Sequence, residues 1–434
     1  MPPPRPLRSL DLFSGVGGIT HALKGFAEPL AYCDNSGEAQ AVLTKLMQRG
    51  SLPPAPICPD VSKLNRKWIR KNCESSRVDM IVAGFPCVGF SSLGLHSGFE
   101  NVQSGLFLHV LRLVDETDCQ AVFLENVPNV LKIGMHDILE ELYRKRGFEL
   151  RWCVTPASHV GSQQLRKRWF CLGMRAGFRY VHAPPPPSQK YRMYPWGTMP
   201  EPARMVLKYD SAMLSRRLEL LGNSVIPDAV RFSFLYLASG FSFDRRLRTL
   251  DLPKGFVIEM HKKDKGKGKR PHIDLPPAFS RTGLVTVDGN YTPLPGFSGE
   301  EPWRRVPWKQ PLVFDPAAYV SDKPPGALLI EDSILTRPIT KKLWGTPRRS
   351  CIGAGNFLTK RLSDDLPTQI RFEVGTNDRL RSGRVSVEFV EYLMGFPLGW
   401  TDFSTTGLRQ RGCAPYDAIR RRIRQDNIRT SLCT

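Results

Sequence analysis

Over residues 7–174, short apolar runs alternate with helix-length stretches, and this alternation limits the fold more than any other feature of the chain. Residues 7–13, 30–34, 78–84, 121–125 and 169–174 read as buried-type strands, and residues 19–24, 39–47 and 106–114 carry helical patterns between them. Strand, helix and strand in repetition require right-handed crossovers, so the strands lie mostly parallel with helices on their faces. The expectation is an α/β fold built on a Rossmann-like, mostly parallel sheet, with residues 169–174 closing it. The proline run at 184–187 ends that unit.

Ligands of open parallel sheets bind outside the carboxyl ends of the strands. The first strand runs directly into Phe13-Ser14-Gly15-Val16-Gly17-Gly18. Glycines there let the backbone turn tightly and approach a ligand, and the next helix start presents unpaired N–H groups. About twenty residues on, Asp34 ends the second strand, where a carboxylate can accept hydrogen bonds from ribose hydroxyls. Asp60, followed by Val61, is placed to end a third strand and to take an adenine amino group. Surface turns explain both aspartates equally well. Together the three pieces describe a nucleoside-cofactor pocket and leave the cofactor open.

The third group of residues concerns a nucleophile. In Gly84-Phe85-Pro86-Cys87-Val88-Gly89-Phe90-Ser91, Cys87 follows a buried strand and a turn stiffened by Pro86. A thiol held at a sheet rim near helix starts can ionise readily, whereas most cysteines are inert core residues. A strand later, Glu125-Asn126-Val127-Pro128 places a carboxyl at another strand end; a helix cap at Asn126 with a surface Glu125 is the plainer alternative. Alternation puts Gln164, Arg166 and Arg168 on one side of the next strand.

Charge extends the reading. Lys and Arg number 62 against 41 Asp and Glu, a formal charge of +21 over 434 residues. Such an excess suits a polyanion, because basic groups replace the counterions condensed on phosphates. Hydrophobic residues make up 41% and no apolar run is long enough to span a bilayer, so no membrane association is expected. The start of the chain lacks the apolar stretch of a signal peptide. The ten cysteines form no Cys-x-x-Cys pair and no Cys/His cluster, so no metal is expected and a reducing intracellular compartment is. The run at 262–270, rich in Lys and Gly, reads as a solvated loop able to contact phosphates. The tail after Leu408 holds seven arginines.

Taken together, these motifs resemble the cytosine-C5 DNA methyltransferases. Phe13-Ser14-Gly15-Val16-Gly17-Gly18 is similar to their first motif and Pro86-Cys87 to their catalytic loop. Ser104-Gly105-Leu106-Phe107 resembles the helix start after that loop, and Glu125-Asn126-Val127 the Glu-Asn-Val motif. Gly161-Ser162-Gln163-Gln164-Leu165-Arg166-Lys167-Arg168 resembles the Gln-x-Arg-x-Arg motif, with Gln163 where proline is usual. Leu221-Gly222-Asn223-Ser224-Val225-Ile226-Pro227 resembles the Gly-Asn-Ser-Val motif. Residues 387–397 resemble the motif that braces the recognition domain.

The resemblance covers residues 7–235 and, less closely, 340–405. It implies the class I methyltransferase form of the sheet, a second, smaller irregular recognition domain, and S-adenosylmethionine as methyl donor. It implies Cys87 as the nucleophile that attacks cytosine C6, with Glu125, Arg166 and Arg168 around the base. Phe13, Gly15, Gly17, Gly18, Asp34, Asp60, Val61, Pro86, Leu106, Asn223, Ser224 and Val225 would surround the cofactor. The partner would be double-stranded DNA with a flipped-out target base, and the protein a monomer.

The order departs from the family's, because Gly-Asn-Ser-Val comes before the candidate recognition region and the bracing motif after it. The expected division is therefore a catalytic unit at 1–240, target recognition at 241–385, the brace at 386–407 and a basic tail at 408–434. The helix after Pro227 is expected to pack beside the first motif. Three alternatives compete: the same chemistry on tRNA, an inactive DNA-binding scaffold, and a nicotinamide-dependent Rossmann enzyme. The last leaves Pro86-Cys87 and the arginine pair without a use, and about 150 residues beyond the catalytic unit favour DNA over tRNA.

Overall fold

The computed structural model describes residues 6–85, 105–164, 166–175, 180–181, 194–196, 199–206, 209–238, 242–244, 249–251, 282–285, 291–292, 344 and 384–403. The basic run at 262–270 and the arginine-rich tail lie outside the described residues. Seven strands make up most of the nine-stranded main sheet: β1 (Leu7–Leu12), β2 (Ala27–Cys33), β3 (Ile57–Cys58), β4 (Met80–Gly84), β5 (Ala121–Asn126), β6 (Phe148–Pro156) and β7 (Lys167–Arg175). Their spatial order is β6-β7-β5-β4-β1-β2-β3. The pairs β1–β2, β1–β4, β2–β3 and β4–β5 are parallel, and β7 runs antiparallel to both β5 and β6. The expected α/β sheet is present.

One expectation is corrected. β7 does not close the sheet, because β6, which the sequence pattern did not reveal, lies outside it. The cause is local: β6 alternates apolar residues with Glu149 and Arg151, which reads as a half-exposed strand, yet both charged residues are buried. Arg151 Nη1 donates to the carbonyl of Leu237 at 2.6 Å, so an inner strand can carry it.

The helices are α1 (Gly18–Ala22), α2 (Gly37–Gln48), α3 (Arg66–Asn72), α4 (Gly105–Thr117), α5 (Val130–Ile133), α6 (Met135–Ile138), α7 (Ser211–Asn223), α8 (Pro227–Ala238) and α9 (Val387–Met394). Side chains of Ser36, Asn65, Asp210 and Ser386 cap α2, α3, α7 and α9 by accepting first-turn N–H groups. Strand alternation sends Leu10, Ile81, Val122 and Leu124 to one face, against Phe107, Val110 and Leu111 of α4. Met80, Val82, Ala121 and Phe123 face the other way, against Ala22 of α1 and Val230 and Phe234 of α8.

As expected, α8 seats beside the first motif: Arg231 Nη1 donates to the carbonyls of Ala22 and Lys24 at 2.8 and 3.0 Å. The chain returns much later, where Arg384–Val385 pairs antiparallel with Met205–Val206, and α9 then packs on α7. Between these points Thr282–Val285 adds a strand to the free edge of β6, with Tyr291–Thr292 paired outside it. Trp344 is buried, its backbone N–H donating to the carbonyl of Gln163 and its ring edge-on to Phe389 at 5.5 Å. Within the interval at 241–385, Thr282–Val285 thus joins the main sheet, whereas Ser242–Asp244 and Thr249–Asp251 form a separate small sheet with Tyr180–Val181.

Candidate active site

The turn after β1 is the most constrained backbone in the site. Phe13 has φ +57°, a left-handed conformation rare for an aromatic residue, and Gly15 and Gly17 have φ +52° and +74°. Ser14 fixes the entry: its N–H donates to the Cys33 carbonyl at 3.0 Å and its hydroxyl to the Asp11 carbonyl at 2.6 Å. The three glycines serve different ends. A Cβ on Gly15 would meet nothing within 4 Å, so this position faces open space. One on Gly17 would collide with Leu52, and one on Gly18 would lie 2.8 Å from Val225 Cγ2. Gly15 is the residue that leaves room for a ligand; Gly17 and Gly18 are required by packing.

Asp34 stands half-buried at the end of β2, its Oδ2 accepting from the Gly15 N–H at 2.8 Å and its Oδ1 from the Ser36 N–H at 2.9 Å. Burial pushes its pKa up and these two N–H groups pull it back down. Asp60 follows β3 by two residues and is held by Ser62, whose amide and hydroxyl both donate to Oδ1 and lower its pKa. Val61 is buried, and its carbonyl accepts from Arg112 Nη2 at 2.8 Å. Leu106 is half-buried at the start of α4. Asn223 is exposed at the end of α7, while Ser224 and Val225 are buried behind it.

At the ends of β4 and β5 the second group converges. Glu125 is buried and pairs with Arg168 Nε at 3.0 Å. Burial raises its pKa, and Arg168 and then Arg166 draw it down. The surface alternative for Glu125 is therefore set aside. Gly84 is its cross-strand neighbour, and a Cβ there would stand 3.2 Å from Glu125 Oε2. Asn126 Nδ2 donates to the carbonyl of Phe85 at 3.1 Å, which ties β5 to the residue just before Pro86. Pro86 and Cys87 themselves lie outside the described residues.

Of Gln164, Arg166 and Arg168, only Arg168 lies within β7, and the three side chains reach different partners. Gln164 Nε2 donates to the Leu393 carbonyl at 2.6 Å and so braces α9. Arg166 is buried and donates to the carbonyls of Gly222 and Ser224, tying the start of β7 to the Gly-Asn-Ser-Val turn. Arg168 pairs with the acid.

Asp11, unremarked in the sequence, lies beneath the glycine turn. Thr20 donates to its Oδ2, and its Oδ1 has no hydrogen-bond partner. Burial lifts its pKa from 3.8 to about 7, against the Thr20 hydrogen bond and with a smaller push from Asp34. An acid with a raised folded-state pKa favours the folded protein at low pH, and that contribution is lost as pH climbs from about 4 through about 7. Asp11→Asn is expected to match wild type in stability near pH 4 and to exceed it increasingly up to pH 8, by a few kcal/mol at most. Scanning fluorimetry across that range checks it, and equal Tm differences at both pH values would refute it.

Among the described residues, no group of three or more His, Cys, Asp or Glu side chains is placed to hold a metal ion, and no helix is long and apolar enough to cross a membrane. Residues 7–213 match the family described as C-5 cytosine-specific DNA methylase. The chain is 30% identical over 374 residues to the Type II methyltransferase M.CviJI of Paramecium bursaria Chlorella virus IL3A, across 84% of this chain and 90% of that protein. Similarity to M.MspI of Moraxella sp is 30% over 187 residues, 41% of each protein. For M.HhaI of Haemophilus parahaemolyticus it is 30% over 175 residues, 39% of this chain and 49% of that one.

Proposed function

The chain belongs to the C-5 cytosine-specific DNA methylase family, and from that membership we propose how its residues divide the work of a DNA (cytosine-5-)-methyltransferase. The observation that carries the division is the buried Glu125–Arg168 pair, set beside Phe85 at the entry to Pro86-Cys87 and near a glycine turn open at Gly15.

The residues present fit S-adenosylmethionine: open space at Gly15, carboxylates after two neighbouring strands, and the exposed Asn223 before buried Ser224 and Val225. Phe13, Asp34, Asp60, Val61, Pro86, Leu106 and Asn223 would hold it. When bound, it supplies an electrophilic methyl group on a sulfonium centre.

The chain's own residues make the acceptor. The target cytosine leaves the duplex stack, because C5 and C6 are otherwise hidden. The Cys87 thiolate adds to C6, forming a sulfur–carbon bond while the C5–C6 π electrons shift toward C5 and the N3 edge. Glu125, biased toward its neutral form by burial, donates to N3 as charge develops there. Arg168 keeps that carboxyl oriented, and Arg166 holds the start of β7 to the turn at Gly222 and Ser224. After C5 is methylated, its proton leaves to a water molecule, the C6–sulfur bond breaks and N3 returns its proton to Glu125, which restores the ring, the Cys87 thiolate and the acid.

Labelled methyl transfer from S-adenosylmethionine to duplex DNA tests this. Glu125→Gln is expected to lower kcat by about 10²–10³, with Tm close to wild type. Labelling of tRNA and not of duplex DNA would overturn the proposal.

A further inference from the structure

The late segment of the chain reaches back into the first motif. The indole Nε1 of Trp400 donates to the carbonyl of Val16 at 2.9 Å, a buried contact across 384 residues. Val16 is the central residue of the glycine turn, so this bond fixes the orientation of the peptide joining it to Gly17, whose φ is +74°. Phe396 joins it from the same segment: a Cβ on Gly18 would lie 3.2 Å from its ring. Trp400 stacks on Phe396 at 5.3 Å and lies against His21 of α1 at 4.7 Å.

Trp400 is itself held on both sides. The fully buried carboxylate of Glu391 accepts from the N–H of Gly399 at 2.6 Å and of Thr401 at 2.8 Å, and from the Thr401 hydroxyl at 2.6 Å. Arg217 of α7 donates to the same carboxylate at 3.1 Å. Burying a carboxylate among four donors is a costly way to shape a three-residue turn unless its position matters. Of the turn's three glycines, only Gly15 opens to a ligand, so the shape of that opening depends on what grips the turn from behind.

We propose that Trp400 is a positioning residue that holds the glycine-rich turn in its cofactor-binding shape, so that cofactor affinity depends on how the chain returns after the recognition interval. This rests on the reading of the turn as an S-adenosylmethionine site. Trp400 does not touch the reacting atoms; it acts through Val16. Because the same segment follows directly on the return strand at 384–385, the two ends of the reaction, target and donor, share one mechanical element.

The test is calorimetric binding of S-adenosylhomocysteine to the full chain, with Tm measured in parallel. Trp400→Phe keeps the ring stack and leaves the buried Val16 carbonyl without its donor. It is expected to weaken binding about tenfold and to raise KM for S-adenosylmethionine in the same ratio, with kcat and KM for DNA unchanged. Thr401→Val, which loosens the same turn more gently, is expected to shift affinity two- to threefold, about the scale of one weakened hydrogen bond. Phe389→Leu, on α9 but facing Trp344, serves as the control and is expected to lower Tm without moving affinity. Equal affinity in Trp400→Phe and wild type, or losses that follow Tm alike in all three variants, would overturn the proposal. Failure of wild type to bind S-adenosylhomocysteine would instead overturn the cofactor reading beneath it.

Discussion

Replacing Cys87 with serine abolishes methyl transfer to duplex DNA, with kcat falling by at least about four orders of magnitude. The reason is the ionised fraction and softness of the attacking atom. A thiol is far more acidic than an alcohol, so it supplies a useful thiolate population near neutral pH where a serine hydroxyl supplies almost none. Methyl transfer from S-adenosylmethionine, followed by scintillation counting, reads the loss. Binding of S-adenosylhomocysteine and Tm should stay at wild-type values, which separates lost chemistry from lost folding. A duplex carrying 5-fluorocytosine adds a direct view, because fluorine at C5 blocks the elimination that frees the enzyme. Wild type should then be trapped as a covalent adduct on a denaturing gel, and Cys87→Ser should not. Adduct formation by Cys87→Ser would place the nucleophile elsewhere.

Arg166→Met has the largest expected effect on stability. The guanidinium is buried and donates to the carbonyls of Gly222 and Ser224, so it joins β7 to the turn between α7 and α8. Methionine fills much of the same volume but leaves two buried carbonyls without donors and removes one of two cations near Glu125. Breaking a buried charged network of this kind costs about 3–5 kcal/mol, which corresponds to a Tm lower by roughly 10 °C. Arg166→Lys should recover little of it, because one ammonium cannot span the carbonyls that a planar guanidinium reaches. Urea titration followed by circular dichroism checks both variants. A midpoint within experimental error of wild type would show that the turn is held by other contacts.

The parts of the molecule that were legible in the sequence share a physical trait. Strands β1, β4 and β5 are buried on both faces, so they appear as unbroken apolar runs, and the residues that follow them stand out by contrast. Glu125 was found in this way at the end of β5, and Asp34 stands out after the buried Ala31–Cys33 end of β2. β6 escaped because two buried charges gave it the look of an exposed edge. Gln164 was seen as a polar residue on the right side of a strand, yet its amide serves Leu393, a partner 229 positions away. Trp400 and Glu391 were invisible for the same reason. Their partners are distant in the chain, and neither carries a local pattern that separates it from an ordinary core residue. The different uses of Gly15, Gly17 and Gly18 depended on which atoms surround each one.

The antiparallel pairing of Met205–Val206 with Arg384–Val385 has a consequence for how such enzymes diversify. It fixes where the chain re-enters, while α8 fixes where it leaves, and between these ends the interval is held again at Thr282–Val285 and at Trp344. Closing a longer loop is cheap: doubling its length costs only about 0.6 kcal/mol. The stretches between these anchors can therefore be lengthened or shortened at little thermodynamic expense, provided that a strand for the edge of β6 and an indole for the Trp344 socket are kept. With target recognition assigned to this interval as proposed, target choice and methyl chemistry evolve at separate rates within one polypeptide.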